Sequence, residues 1–140
     1  MGIFLGLDFG EKRIGVARSD EGGTHAEPVA TLEYRSREDL SKQLRDYMQT
    51  LKPEKVVVGL PRTLQGEIGF AAKKVLDWVD WLRPQFQVEW ILWDERLTTA
   101  ETERILIEAD LSRRKRKSIR DRLAAQRILQ GYLDATKAHE

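Results

Sequence analysis

The chain has no cysteine, two histidines and four prolines among its 140 residues. Without cysteine there can be neither a disulfide framework nor a thiolate zinc site. The imidazoles are His25, in a loop, and His139, near the last residue, so a histidine-held metal or a Ser-His nucleophile is not expected. Any metal must be held by carboxylates. No apolar run approaches the roughly 18 residues of a membrane span, and Met1-Gly2 leads into strand sequence without a basic segment and cleavage site. A cytoplasmic protein without a membrane partner is therefore expected. Apolar residues make up 41% of the chain and charged residues 34%, which describes a folded protein. The length suits one domain with a real core and is short for two, so residues 1–140 are expected to form a single domain.

Basic charge is gathered in one stretch. The net charge is +1, yet Arg113–Arg127 holds eight of the 24 basic residues and a single acid, Asp121, leaving −6 for the rest of the chain. Such polarity suits a polyanionic partner; the plainer reading is a solvated helix face. The consecutive cations Arg113, Arg114, Lys115, Arg116 and Lys117 repel one another, and a loop that orders on nucleic acid is expected there.

Glycine marks a second unusual stretch. Phe4–Asp20, FLGLDFGEKRIGVARSD, reads as a β-hairpin: Ile3, Phe4, Leu5 and Leu7 supply one strand, Gly10-Glu11 the turn, and Ile14 and Val16 the return. Asp8 sits among these apolar residues. Ionised burial is costly unless a cation or donor compensates it, so Asp8 is either a metal ligand or the end of an exposed strand accepting turn hydrogen bonds. Gly6, Gly10 and Gly15 bracket it, as expected where a ligand or another backbone must come close, and they suggest that the space beside Asp8 is kept open.

Further along, Pro28–Tyr34 alternates as a third strand after a Gly22-Gly23 loop expected to be mobile. Ser36 and Asp39 form a capping box for a helix with Leu40, Leu44, Tyr47, Met48 and Leu51 on one face, stopped by Pro53. Lys55–Leu60 is a continuous β-branched run of the kind buried in a parallel sheet. A loop with Gly66 and Gly69 leads to a helix through Leu82, whose apolar stripe includes Phe70, Val75, Trp78, Val79 and Leu82. Val88–Trp93 gives a fifth strand, Thr98 and Glu101 cap a helix to about Ala109, and the last helix is expected over Ser118–Ala135. This order predicts an α/β fold with a mixed five-stranded sheet: the first three strands antiparallel, the fourth and fifth parallel to the first, helices on both faces.

Two more acidic positions stand out. Asp94-Glu95 follows the fifth strand in a short loop before the next helix. Strand residues alternate between faces, so only one of the pair shares the side of Asp8; Glu95 is favoured, leaving Asp94 for backbone or Arg96. An exposed acidic loop paired with Arg96 explains the same residues. Asp121, Ala125, Ile128 and Tyr132 recur at helical spacing, which turns Asp121 toward the sheet, although Ser118 and Asp121 also fit a capping box. Arg62, leaving the fourth strand, and Arg96, beside the acids, join Arg113–Lys117 as candidate phosphate contacts; a solvated surface arginine is the alternative for Arg62.

The segments LGLDFGEKRIGVARSD, VVVGLPR, DERLTTAE and KSIRDRLAAQRILQGYLD, in that order, closely resemble the YqgF/RuvX family of pre-16S rRNA nucleases and Holliday junction resolvase-like proteins, within the ribonuclease H-like superfamily. The likeness spans nearly the whole chain. It implies a ribonuclease H-like nuclease domain with an acidic triad at Asp8, Glu95 and Asp121, acting as catalytic residues and as ligands of two Mg2+ or Mn2+ ions. It implies phosphodiester hydrolysis in 5′-end maturation of pre-16S rRNA or, alternatively, on Holliday junctions. The partner is then structured RNA or branched DNA, with a homodimer where paired cuts are made. One departure is visible: the family often has an asparagine before the loop glycine, whereas Arg62-Thr63-Leu64-Gln65-Gly66 lacks it, so no contact from that side chain is carried over. Oxygen-only ligands select Mg2+ or Mn2+ over zinc. A sugar-kinase-like reading shares the Asp-x-Gly hairpin but needs a second glycine-rich phosphate loop and a further domain, for which there is neither sequence nor room. The other class left open is a nucleic-acid-binding regulator or ribosome-assembly factor that keeps the fold without cutting.

Overall fold

The computed structural model describes residues 2–10, 12–61, 69–95 and 113–137. Alternating apolar and small residues make Phe4–Phe9 (β1) and Arg13–Ser19 (β2) a hairpin, in which the Gly10 N–H donates to the Arg13 carbonyl at 2.8 Å. Their register sets Asp8 opposite Gly15. Ala26–Glu33 (β3) pairs antiparallel with β2, and Arg37–Leu51 (α1) leads to Lys55–Pro61 (β4), which joins β1 in parallel. Phe70–Leu82 (α2) and a 3-10 turn at Arg83–Gln85 precede Glu89–Glu95 (β5), parallel to β4. Arg113–Lys137 (α3) is the last described element. The five strands lie in the order β3-β2-β1-β4-β5, so the mixed sheet forms as expected with β1 at its centre.

Both faces are covered. On one, Leu5, Leu7, Ile14, Val16, Val56 and Val58 meet Leu40 and Leu44 of α1 and Val75, Val79 and Leu82 of α2. On the other, Ala17 and Val57 meet Ala125, Ile128, Leu129, Tyr132 and Leu133 of α3. Each fully buried leucine stabilises the fold by about 1.5–3 kcal/mol before cavity effects are counted. Ser36 caps α1 as expected, its Oγ accepting from the Asp39 N–H at 3.1 Å, while Asp39 reaches back one residue further than a capping box, accepting from the Arg35 N–H at 3.0 Å. Lys52, left-handed at φ 48°, ends the helix before Pro53. No helix among the described residues is long and apolar enough to cross a membrane.

Several boundaries correct the sequence expectation, and most do so for non-local reasons. β3 begins at Ala26, whose N–H donates to Gln130 Oε1 of α3 at 2.7 Å. Pro28 is tolerated because β3 is an edge strand with a register shift near its partner Ala17. The Gly22-Gly23 loop, expected to be mobile, is a tied turn: Asp20 Oδ1 accepts from the Thr24 N–H at 2.7 Å and the His25 N–H at 3.0 Å. β5 extends through Asp94 and Glu95 because pairing with β4 continues to Pro61 opposite Glu95, so the acidic pair belongs to the strand and not to a following loop. α3 starts at Arg113 instead of Ser118, so Arg113–Lys117 is helix where a loop was expected. Arginine and lysine are strong helix formers, and that preference prevails along this stretch of backbone. Phe70, placed by sequence in the apolar stripe of α2, is exposed; it lies about 140° around the helix from Val75 and about 180° from Val79. The helix expected from Thr98 to Ala109, and the side chains Arg62 and Arg96, lie outside the described residues.

Candidate functional site

Asp8 belongs to the α3 face of the sheet. Along β1 it is in phase with Gly6, and across the hairpin it pairs with Gly15. These two glycines do not leave open space. A Cβ at Gly6 would stand 2.8 Å from Leu129 Cβ, and one at Gly15 would clash with the Asp121 carbonyl, so α3 fills the gap, by the Leu129 side chain and the Ala125 carbonyl at Gly6 and by its backbone at Gly15. Gly15 therefore sets the distance between sheet and helix at the register position of Asp8. Asp121 lies two turns inside α3, beyond any capping position, which removes the capping-box alternative.

The two carboxylates feel each other. Burial pushes the Asp8 carboxyl up to about 6, and the neighbouring Asp121 charge adds to the rise. Asp121 is oriented from the sheet side by Arg13, whose Nε lies 3.4 Å from Asp121 Oδ2. Arg13 also reaches Glu33 Oε1 at 4.0 Å. Sequence reasoning missed Arg13; its signal is that it lies in phase with Gly15 on β2, on the face that α3 covers.

Both Asp94 and Glu95 lie on β5. The exposed Asp94 is in phase with Trp90 and Leu92, on the face away from α3, and the side chain of Glu95 lies outside the described residues. The carboxyl end of β5 is held to α3 by Trp93, whose ring stands edge-on to Tyr132 with centroids 5.7 Å apart. Among the described residues, Asp8 and Asp121 form a pair and no trio of potential metal ligands is assembled. Of the basic candidates, Arg113, Arg114, Lys115, Arg116 and Lys117 occupy the opening turns of α3, with Lys115 exposed.

A mixed sheet of this order, with an acid on its central strand set against an acid on the closing helix, defines a ribonuclease H-like α/β protein. Solved structures share that fold: RuvC from Thermus thermophilus in complex with a Holliday junction substrate matches at TM-score 0.59 with 13% identity, over 99% of this chain and 97% of that one. The fowlpox virus resolvase in complex with Holliday junction DNA matches at TM-score 0.54 with 11% identity, over 96% and 98% of the two chains. The chain belongs to the RuvX family, whose model, described as Holliday junction resolvase, matches residues 2–135, and it is accordingly a phosphodiester-hydrolysing enzyme. A protein of Desulforudis audaxviator (strain MP104C) is 47% identical over 134 residues, covering 96% of this chain and 95% of that protein. One of Thermoanaerobacter pseudethanolicus (strain ATCC 33223 / 39E) is 44% identical over 134 residues, covering 95% and 96%. Both carry the name "Putative pre-16S rRNA nuclease".

Proposed function

We propose that this chain is a single-domain, divalent-metal-dependent nuclease of the cytoplasm that matures the 5′ end of pre-16S rRNA, with Asp8, Glu95 and Asp121 as its metal-holding catalytic acids. The observation that carries the reading is the Asp8–Asp121 pair, a half-buried carboxylate raised to about 6 beside a second acid, a cost that a bound cation reverses. The names of the relatives support the substrate.

Oxygen donors drawn partly out of water fit Mg2+ or Mn2+. Two such ions, when bound, supply an activated water and neutralise charge on the leaving oxygen. The protein's own part is placement. Asp8 is fixed on the central strand, flanked by β2 and β4. Arg13 holds the Asp121 carboxylate, and the Trp93–Tyr132 contact holds the end of β5 against α3. Such supports matter because a misplacement of about 1 Å can cost on the order of a hundredfold in rate.

The basic run sits on the same helix as Asp121. Along α3 the rise from Lys117 to Asp121 is about 6 Å and from Arg113 about 12 Å, within reach of a phosphate backbone engaged at the acids. Arg62 and Arg96 are proposed as further phosphate contacts. Replacing Arg113, Arg114 and Lys115 with glutamine keeps good helix formers and is expected to weaken binding alike on all sequences. The slope of log affinity against log salt should flatten by about 2–3. Titration of a labelled RNA at low and high salt checks this; unchanged affinity at both would remove the segment from the interface.

The function itself is tested by incubating the protein with Mn2+ or Mg2+ on a labelled 5′-extended 16S precursor and on a four-way DNA junction. The expected result is a discrete shortened RNA whose formation EDTA suppresses. Cutting of the junction alone would turn the reading to junction resolution, and binding without cutting either substrate would leave a non-cleaving assembly factor.

A further inference from the structure

The carboxyl edge of β1 has a second side. Asp8 faces α3, but the next residue, Phe9, packs toward α2, and there the edge opens into a cleft of about 470 Å³ lined by Phe9, Tyr34, Arg37, Phe70, Lys74 and Trp78. That volume falls within the roughly 300–1,000 Å³ of small-ligand sites. Most of the wall is already packed. Phe9 stacks on Trp78 with centroids 5.9 Å apart, Tyr34 meets the edge of Trp78 at 5.3 Å, and Arg37 lies 5.0 Å over the same ring.

Phe70 differs from these. It is 76% exposed, the one large hydrophobic so placed among the described residues, with the Lys74 ammonium 5.0 Å from its ring. A broad aromatic ring offered to solvent beside two cations is the composition of a single-strand nucleic-acid site, where rings stack bases and cations follow phosphates. Asp77 adds one carboxylate to the wall, which the two cations outweigh. An apolar peptide would leave Arg37 and Lys74 without a complementary charge.

We infer that this cleft receives an unpaired nucleotide flanking the scissile phosphate, its base stacked on Phe70 and its phosphate met by Lys74 and Arg37. The strand crosses the edge of the sheet where Asp8 and Phe9 turn to opposite faces, so the enzyme favours a single-stranded extension over uninterrupted duplex. The inference rests on the nuclease reading of the Asp8 site.

The test is fluorescence anisotropy in EDTA, where no cutting intervenes, with a blunt RNA duplex and the same duplex carrying a single-stranded overhang. The parent protein is expected to prefer the overhang. Phe70→Ala, at an exposed position, should keep the parental urea midpoint and lose about tenfold in affinity for the overhang probe alone. Phe70→Trp should retain the affinity, and Phe70→Leu, apolar but unable to stack, should not. Equal loss on both probes, no loss with alanine, or leucine binding as well as tryptophan would each overturn the inference. A parent that binds neither probe would overturn the proposed function with it, whereas binding indifferent to Phe70→Ala overturns the cleft alone.

Discussion

In metal-free buffer above pH 7, Asp8→Asn is expected to unfold at a higher urea concentration than the parent, by about 2–3 kcal/mol of stability, whereas with Mn2+ or Mg2+ supplied it is expected to cleave nucleic acid slower than the parent by roughly three orders of magnitude. The gain follows from the direction of the Asp8 shift, from 3.8 to about 6. Below the unfolded value both states carry the proton and the carboxyl makes no difference to stability. Between the two values the folded state retains a proton that the unfolded chain has released, so stability falls as pH rises, and above the folded value the full penalty persists. Asparagine carries no such penalty. The advantage of the variant should therefore be absent near pH 3.5, grow to about pH 6 and stay constant beyond it. Saturating Mg2+ should narrow or reverse it, since ligand at a hundredfold over its dissociation constant adds about 2.7 kcal/mol to a protein that can bind it. Urea titrations at both pH extremes, with EDTA and with Mg2+, provide the check. Equal stability of the two proteins at neutral pH in EDTA would show that Asp8 is not held at a cost.

Gly15→Ala should be among the most damaging single substitutions in the chain. The added Cβ would coincide with the Asp121 carbonyl and lie 3.1 Å from the Arg122 nitrogen, backbone atoms that no rotamer change can move aside. Either α3 lifts from the sheet or β2 gives way. Both disturb the layer formed by Ala17, Val57, Ala125 and Leu129. A loss of at least ~3 kcal/mol is expected, at the upper end of overpacking effects, with cleavage lost even where folding survives because Asp121 has moved from Asp8. Gly6→Ala makes the comparison informative. Its Cβ would meet the Leu129 Cβ at 2.8 Å and the Ala125 carbonyl at 3.1 Å, a tight contact without the coincidence found at Gly15. It should cost about 1–3 kcal/mol. A Gly15→Ala protein within ~1 kcal/mol of the parent, or one less affected than Gly6→Ala, would contradict the close approach of α3.

The elements with local signals were legible in the sequence. The hairpin showed in its apolar alternation and glycine turn, α1 in Ser36, Asp39 and Pro53, and the inward turn of Asp121 in its spacing to Ala125, Ile128 and Tyr132. Partners brought together across the chain were not. Arg13 meets Asp121 only because α3 returns over the hairpin, and β5 runs on through Glu95 because β4 is there to pair with it. Gly15 signals close approach by a ligand or another backbone, and a missing side chain does not say which of the two fills its place; here it is the α3 backbone. In the basic run charge repulsion points to a loop, and helix propensity prevails. Phe70 was open to a better reading, because its angular phase already set it off the stripe of Val75 and Val79.

The central claim is that Asp121, at the far end of the sequence from Asp8, completes the acid cluster of a metal-dependent nuclease. Single-turnover cleavage of the labelled precursor in saturating Mn2+, by the parent and by Asp121→Asn, tests it most directly. The substitution removes one negative charge and little volume, so fold and RNA binding should stay at parental levels while the rate falls by roughly three orders of magnitude. An Asp121→Asn protein that cuts at the parental rate would contradict the account and return Asp121 to the scaffold.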